Sequence, residues 1–239
     1  MLQVVIGTQP NQYLAERVLE HSIRKSASKP VEIHRVHQTR ESVGGTRFGF
    51  VRFTVPSLCG YRGRAIYLDA DQVAIGDIHE LADELQEPFA VGLVRKLEGT
   101  FAGRPVEQRN ETSVMVLDCA KLTAWNPEKI FDPVIPNDAP LAPGQIHYRD
   151  FMRLAWIDPA LVQEIDPRWN HYNMVRPDTK LVHFSHVREQ PWKRPRHPFR
   201  PFWDAWLAET IAAGVLTRGD VLSAVRRRHV HPYFLKHLL

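Results

Sequence analysis

Cysteine is scarce in this sequence: Cys59 and Cys119 are the only two among 239 residues. Two thiols cannot build the disulfide framework of a small secreted domain. Both lie in apolar company, so they read as buried free thiols, and the expected compartment is reducing and cytoplasmic. Long apolar runs are missing too, and none approaches the roughly 18 residues a membrane span requires. The opening Met1-Leu2-Gln3-Val4-Val5-Ile6-Gly7 lacks the basic end, apolar centre and small-residue cleavage site of a signal peptide. No internal repeat and no low-complexity stretch occurs, which excludes a solenoid or a disordered tract. Acidic residues run short toward the end. From Arg188 onward, ten Lys or Arg face only Glu189, Asp204, Glu209 and Asp220. No helix-turn-helix, zinc-finger or RRM signature accompanies this charge, so no nucleic-acid partner is expected. The basic segment reads as a solvated helix face and leaves open a peripheral membrane contact or another anionic partner.

What is present suits one substantial core, with 44% hydrophobic and 24% charged residues. Val4-Val5-Ile6 reads as a buried strand that ends at Gly7-Thr8. A helix is expected from about Gln12 to Lys25, where Leu14, Val18 and Leu19 recur at helical spacing. The segment from Val31 to Val36 alternates as a second strand, Gly44-Gly45 interrupts the chain, and a short helix covers Phe50 to Leu58. Strand-helix-strand order points to an open α/β sheet whose ligands bind beyond the strand C-termini. Arg64 to Asp71 reads as an apolar central strand, Ile78 to Leu85 as a helix, and Ser113 to Asp118 as another buried strand. Prolines from Pro127 to Pro143 predict an irregular loop. A late strand at Leu181 to Phe184, a crossing segment from Pro191 to Pro201, and helices near 202–213 and 218–227 complete the chain.

The sharpest chemical feature is Tyr67-Leu68-Asp69-Ala70-Asp71. Two carboxylates at the end of an apolar strand are costly unless positive charge sits between them. A divalent cation on oxygen ligands supplies that charge and in turn holds a diphosphate. Two enzyme classes place Asp-x-Asp after such a strand. Haloacid-dehalogenase-like phosphatases use Asp-x-Asp-x-Thr or Val, and Asp69-Ala70-Asp71-Gln72-Val73 fits that string. In that class, however, the acids follow the first strand, whereas here a strand-helix-strand unit precedes them.

Nucleotide-sugar transferases are the other class, and here the likeness spreads over four blocks in order. They are Ile6-Gly7-Thr8 with Tyr13; Val51-Arg52-Phe53, its arginine 17 residues before Asp69; Leu68-Asp69-Ala70-Asp71 with Gly76-Asp77-Ile78; and Val182-His183-Phe184-Ser185 through Gln190-Pro191-Trp192. On these blocks, about four-fifths of the chain, the sequence resembles the family-8 glycosyltransferases, the group of glycogenin and bacterial lipopolysaccharide galactosyl- and glucosyltransferases. The resemblance implies an α/β domain of GT-A type over residues 1–195, a mixed sheet flanked by helices. Residues 196–239 would form a basic helical C-terminal extension. It implies Asp69, Asp71 and His183 as ligands of Mn²⁺ or Mg²⁺, with Arg52 beside the two acids as the catalytic set. Thr8, Tyr13, Arg52, Ala70, Arg188, Gln190 and Lys193 would line the donor. The implied reaction is transfer of a hexose, with retention, from a nucleotide sugar such as a UDP-sugar to a sugar, lipid-linked or protein acceptor. Read alone, His183 in an apolar strand is a core histidine; the matching block makes it a ligand.

The chain also departs from the pattern. Gln190 stands where the family has a lysine, and Glu111-Thr112-Ser113 replaces an Asn-Ser-Gly turn. The acceptor-side Asp-Gln-Asp motif is not recognisable; Gln145 and Asp150 lie nearby in another context. These departures motivate the alternative of a nucleotide-sugar-binding protein with impaired turnover.

Overall fold

A computed structural model describes residues 1–37, 49–97 and 108–238; the Gly44-Gly45 break lies outside the described residues. Strands are β1 (Leu2–Thr8), β2 (Val31–His37), β3 (Arg64–Asp69), β4 (Gln72–Ala74), β5 (Val91–Leu97), β6 (Gln108–Asp118), β7 (Val134–Ile135), β8 (Ile146–His147), β9 (Val162–Glu164), β10 (His171–Tyr172) and β11 (Leu181–His183). Helices are α1 (Tyr13–Ser26), α2 (Val55–Leu58), α3 (Ile78–Asp83), α4 (Tyr148–Met152), α5 (Arg200–Ala212) and α6 (Arg218–Arg226). The chain divides into two compact units, one of Met1–Gly7, Val31–Asp69 and His79–Pro167, the other of Thr8–Pro30, Ala70–Ile78 and Arg168–Leu239.

The first unit is built on a six-stranded mixed sheet in the order β2-β1-β3-β6-β5-β9. Ala65 to Leu68 of β3 and Val114 to Leu117 of β6 are all buried, as an apolar run covered on both faces requires. Alternate residues face opposite sides. Val5, Tyr67, Met115 and Leu93 share one face with Phe50, Phe53, Val55, Trp125 and Phe151, so α2, α4 and the 3-10 turn Gly49–Phe53 cover it. Phe53 meets Phe151 edge-on with ring centroids 4.7 Å apart, a geometry that adds to the area buried. β1 and β3 run parallel, with Gly7 opposite Asp69, so their C-terminal ends lie side by side.

The second unit packs α1, α5 and α6 with a three-stranded sheet, β10-β11-β4. Helix α1 buries Leu14, Val18, Leu19 and Ile23, and the charges at its ends, Glu16 early and Arg24 and Lys25 late, oppose the helix dipole. A reciprocal capping box of Thr217 and Asp220 starts α6. Trp192, Trp203, Leu207 and Phe234 join the same apolar cluster as α1. Antiparallel β11 and β4 set Gln72 opposite His183.

Several sequence expectations need correction. The apolar strand ends at Asp69; Ala70 and Asp71 form a turn, and β4 then starts at Gln72 and pairs with β11. The proline-rich stretch is not wholly irregular, since β7 within it pairs with β8. Cys59 is only half-buried, while Cys119 is buried. Part of the basic C-terminal charge is paired, with Lys236 and His237 both on Asp204. No described helix is long and apolar enough to cross a membrane.

Candidate functional site

Asp69 closes β3 inside the first unit, held from two sides. The Arg52 Nη2 donates to both its carboxylate oxygens, at 2.9 and 3.2 Å, and the Tyr67 hydroxyl donates to Oδ1 at 2.7 Å. Tyr67 and Asp69 are two residues apart on one strand, hence on one face. Arg52 Nη1 also donates to the Thr112 hydroxyl at 2.7 Å, and that hydroxyl donates to the Met152 carbonyl at 2.9 Å. Arg52 therefore sits in a buried ion pair rather than on the surface. Burial is the largest influence on the guanidinium and would lower its pKa; the Asp69 charge, Tyr67 and Tyr148 together raise it above the usual value. Burial, then the same carboxylate, pushes the Tyr67 phenol well up, so it stays a protonated donor. Gly7 makes this packing fit: a Cβ there would lie 2.2 Å from the Tyr67 hydroxyl oxygen.

Asp71 and His183 come together in the second unit, with His183 Nε2 3.3 Å from Asp71 Oδ1. His183 Nδ1 lies 3.0 Å from Asn170 Oδ1, and Asn170 Nδ2 donates to the Tyr172 hydroxyl at 3.1 Å. Asn170 thus offers its oxygen to ring Nδ1, and Nε2 is the ring nitrogen turned toward the Asp71 carboxylate. Nε2 and Asp71 Oδ1 stand close enough for a metal ion or a proton to bridge them. Asp71 Oδ1 has no hydrogen-bond partner among the described residues. Its other oxygen accepts from Gln190 Nε2 at 3.0 Å, and the same nitrogen donates to the Phe184 carbonyl at 3.0 Å. A mixed oxygen and nitrogen donor set of this kind fits a divalent metal ion.

The remaining expected residues are placed as follows. Thr8 is buried and donates to Glu16 at 2.5 Å, while Tyr13 is 40% exposed at the start of α1. Ala70 is buried between the two acids. Lys193 donates to the Val187 carbonyl at 2.7 Å; burial lowers its pKa and the Asp71 charge opposes that shift. Arg188 is exposed. Sequence reasoning missed Tyr67, Thr112 and Asn170. A tyrosine two residues before a strand-end aspartate was a readable signal for the first; nothing local marks the other two.

No family model matches the chain. Among solved structures, the bifunctional glycosyltransferase WbbM superposes with a TM-score of 0.65 at 13% identity, covering 95% of this chain and 51% of WbbM. This chain therefore spans about half of WbbM's length. The galactosyltransferase LgtC, solved with donor and acceptor sugar analogs, gives 0.61 at 12% identity over 87% of this chain and 96% of LgtC. GlyE of Streptococcus pneumoniae gives 0.59 at 14% identity over 89% of this chain and 63% of its own. The fold is thus the GT-A fold of glycosyltransferases, a mixed sheet with flanking helices. By sequence, the chain is 30% identical over 236 residues to Protein CDI of Arabidopsis thaliana, covering 85% of this chain and 80% of that protein. It belongs to the family of Protein CDI. General stress protein A of Bacillus subtilis (strain 168) is 24% identical over 206 residues, 71% of this chain and 68% of its own.

Proposed function

We propose that this chain is a metal-dependent glycosyltransferase of the family-8 type. It would transfer a hexose, with retention, from a nucleotide sugar, first of all a UDP-sugar, to a sugar, lipid-linked or protein acceptor. The observation that carries this reading is the approach of Asp71 Oδ1, which lacks a hydrogen bond among the described residues, to His183 Nε2 at 3.3 Å. It occurs in a chain with the glycosyltransferase fold, a fold that in LgtC takes donor and acceptor sugar analogs.

Asp69 is assigned to the same ligand set as Asp71 and His183 by its place in the Asp69-Ala70-Asp71 motif. Only Ala70 separates the two acids in sequence. The nitrogen ligand favours Mn²⁺, with Mg²⁺ as the alternative. A divalent cation held by these residues would supply positive charge to a diphosphate leaving group. The chain's own residues do the positioning. Arg52 and Tyr67 fix the Asp69 carboxylate, Asn170 holds the His183 ring, and Gln190 orients Asp71. Thr8, Tyr13 and Ala70 are assigned to the nucleoside end of the donor, Lys193 and Arg188 to its phosphates.

The phosphatase and impaired-turnover readings are not favoured. Asp69 closes the third strand of a glycosyltransferase-type sheet, not the first, and both acids are retained and buried. Calorimetry of UDP with and without Mn²⁺, beside Asp71→Ala, tests the proposal. Binding that requires the metal and disappears in the variant is expected, and then UDP-sugars are screened for hydrolysis. UDP that fails to bind under every metal condition would end the UDP-donor assignment.

A further inference from the structure

The two cysteines lie 60 positions apart in sequence, yet the fold of the first unit brings them together. Cys59 ends α2, its amide donating to the Val55 carbonyl at 3.0 Å. The chain then turns tightly through Gly60, Tyr61 and Gly63, all with positive φ. The Gly63 carbonyl accepts from the Cys119 amide at 2.9 Å, just where β6 ends. Cys119 belongs to the core, and half-buried Cys59 packs against that same cluster. The turn that begins at Cys119 packs against α2, so the two side chains meet in one cluster. Their interaction lowers the pKa of the Cys59 thiol, with burial opposing, and together with burial raises that of Cys119. Cys59, the less buried sulfur, is the one a solvent-borne oxidant reaches first.

We infer that Cys59 and Cys119 form a modification site, which a peroxide oxidises reversibly to an intramolecular disulfide. The Cys59 thiolate attacks hydrogen peroxide, breaking its O–O bond to give Cys59 sulfenic acid and hydroxide. The Cys119 sulfur then displaces water from the sulfenic acid, forming the S–S bond. Two thiols and one peroxide thus yield one disulfide and two waters, and an added dithiol reverses the change. The bond would join α2 to the end of β6. The segment leading into α2 carries Arg52, and β6 carries Thr112, so the link ties together the two elements that hold Arg52 against Asp69.

The test treats the reduced full-length protein with hydrogen peroxide and reads intact mass and peptide linkage. The expected product has lost two hydrogens, contains a Cys59-Cys119 peptide link, and returns to the starting mass with dithiothreitol. Cys119→Ser should stop at a Cys59 sulfenic acid that dimedone traps, and Cys59→Ser should form no monomeric disulfide. A wild-type protein that instead accumulates oxygens on Cys59 with Cys119 still alkylatable, links between molecules, or stays unoxidised overturns the proposal. The linkage map of the wild type decides the matter even where a variant folds poorly, and its result is independent of whether the chain transfers sugars.

Discussion

Gln190 occupies a position where the resemblance calls for a phosphate-binding lysine, and its surroundings give it a different task. The side chain is 1% exposed and one amide nitrogen bridges the Asp71 carboxylate and the Phe184 carbonyl. A neutral donor there fixes one carboxylate oxygen without competing for the charge of a cation on the other. Groups that orient a metal ligand are typically worth about 10- to 100-fold in metal affinity. Gln190→Leu keeps the bulk and removes the donor, so Mn²⁺ affinity measured by calorimetry, without any nucleotide, should fall by roughly that factor. Gln190→Lys should weaken Mn²⁺ binding as well, since it sets a fixed cation beside the same carboxylate. Wild-type affinity in Gln190→Leu would remove the positioning role.

Among the elements, β1 and β3 decide how accurately Asp69 is held. Gly7 of β1 lies opposite Asp69 and beneath the Tyr67 ring, where an added methyl would come within 2.9 Å of two ring carbons and 2.2 Å of the hydroxyl oxygen. Both Tyr67 and the strand backbone are buried, so the strain cannot relax into solvent. Gly7→Ala should destabilise the protein by about 1–3 kcal/mol, as overpacking in a core does. In a urea titration this appears as a lower midpoint with an unchanged slope. Tyr67→Phe in the same protein should restore part of the loss, because it removes the atom in closest conflict. If the double variant is no more stable than Gly7→Ala, the clash lies elsewhere.

The same elements explain what could be read in the sequence. β3 was legible because a central strand must be apolar on both faces, and its two acids announce the end of that burial. α1 was legible through its 3.6-residue spacing. β5 was not: Gly92, Arg95 and Lys96 interrupt its pattern, and it is held by pairing to β6 and β9, partners remote in sequence. β6 was read only from Ser113, since its start, Gln108 to Thr112, is polar. β4 spans three residues, too few for any period to register. The acids and the histidine of the candidate site stood out by residue type and motif. Thr112 and Asn170 did not, because their importance lies in which side chain they touch, and only tertiary packing sets that.

For the whole molecule, a cation held by groups that converge only in the folded chain must stabilise folding. Unfolding separates His183 from Asp71, which lie 112 positions apart, and so removes the nitrogen ligand. An ion present at about 100 times its dissociation constant and bound only to the native state adds about 2.7 kcal/mol. For a chain of this size, that corresponds to a rise in melting midpoint of roughly 5–10 °C. Mn²⁺ should produce such a rise, EDTA should reverse it, and Mg²⁺ should give less because an imidazole ligand suits it poorly. His183→Ala should melt at a midpoint that Mn²⁺ barely moves, even though removing a buried ring lowers the starting value. A wild-type midpoint indifferent to Mn²⁺ would make the Asp71 and His183 pair structural and the metal assignment wrong.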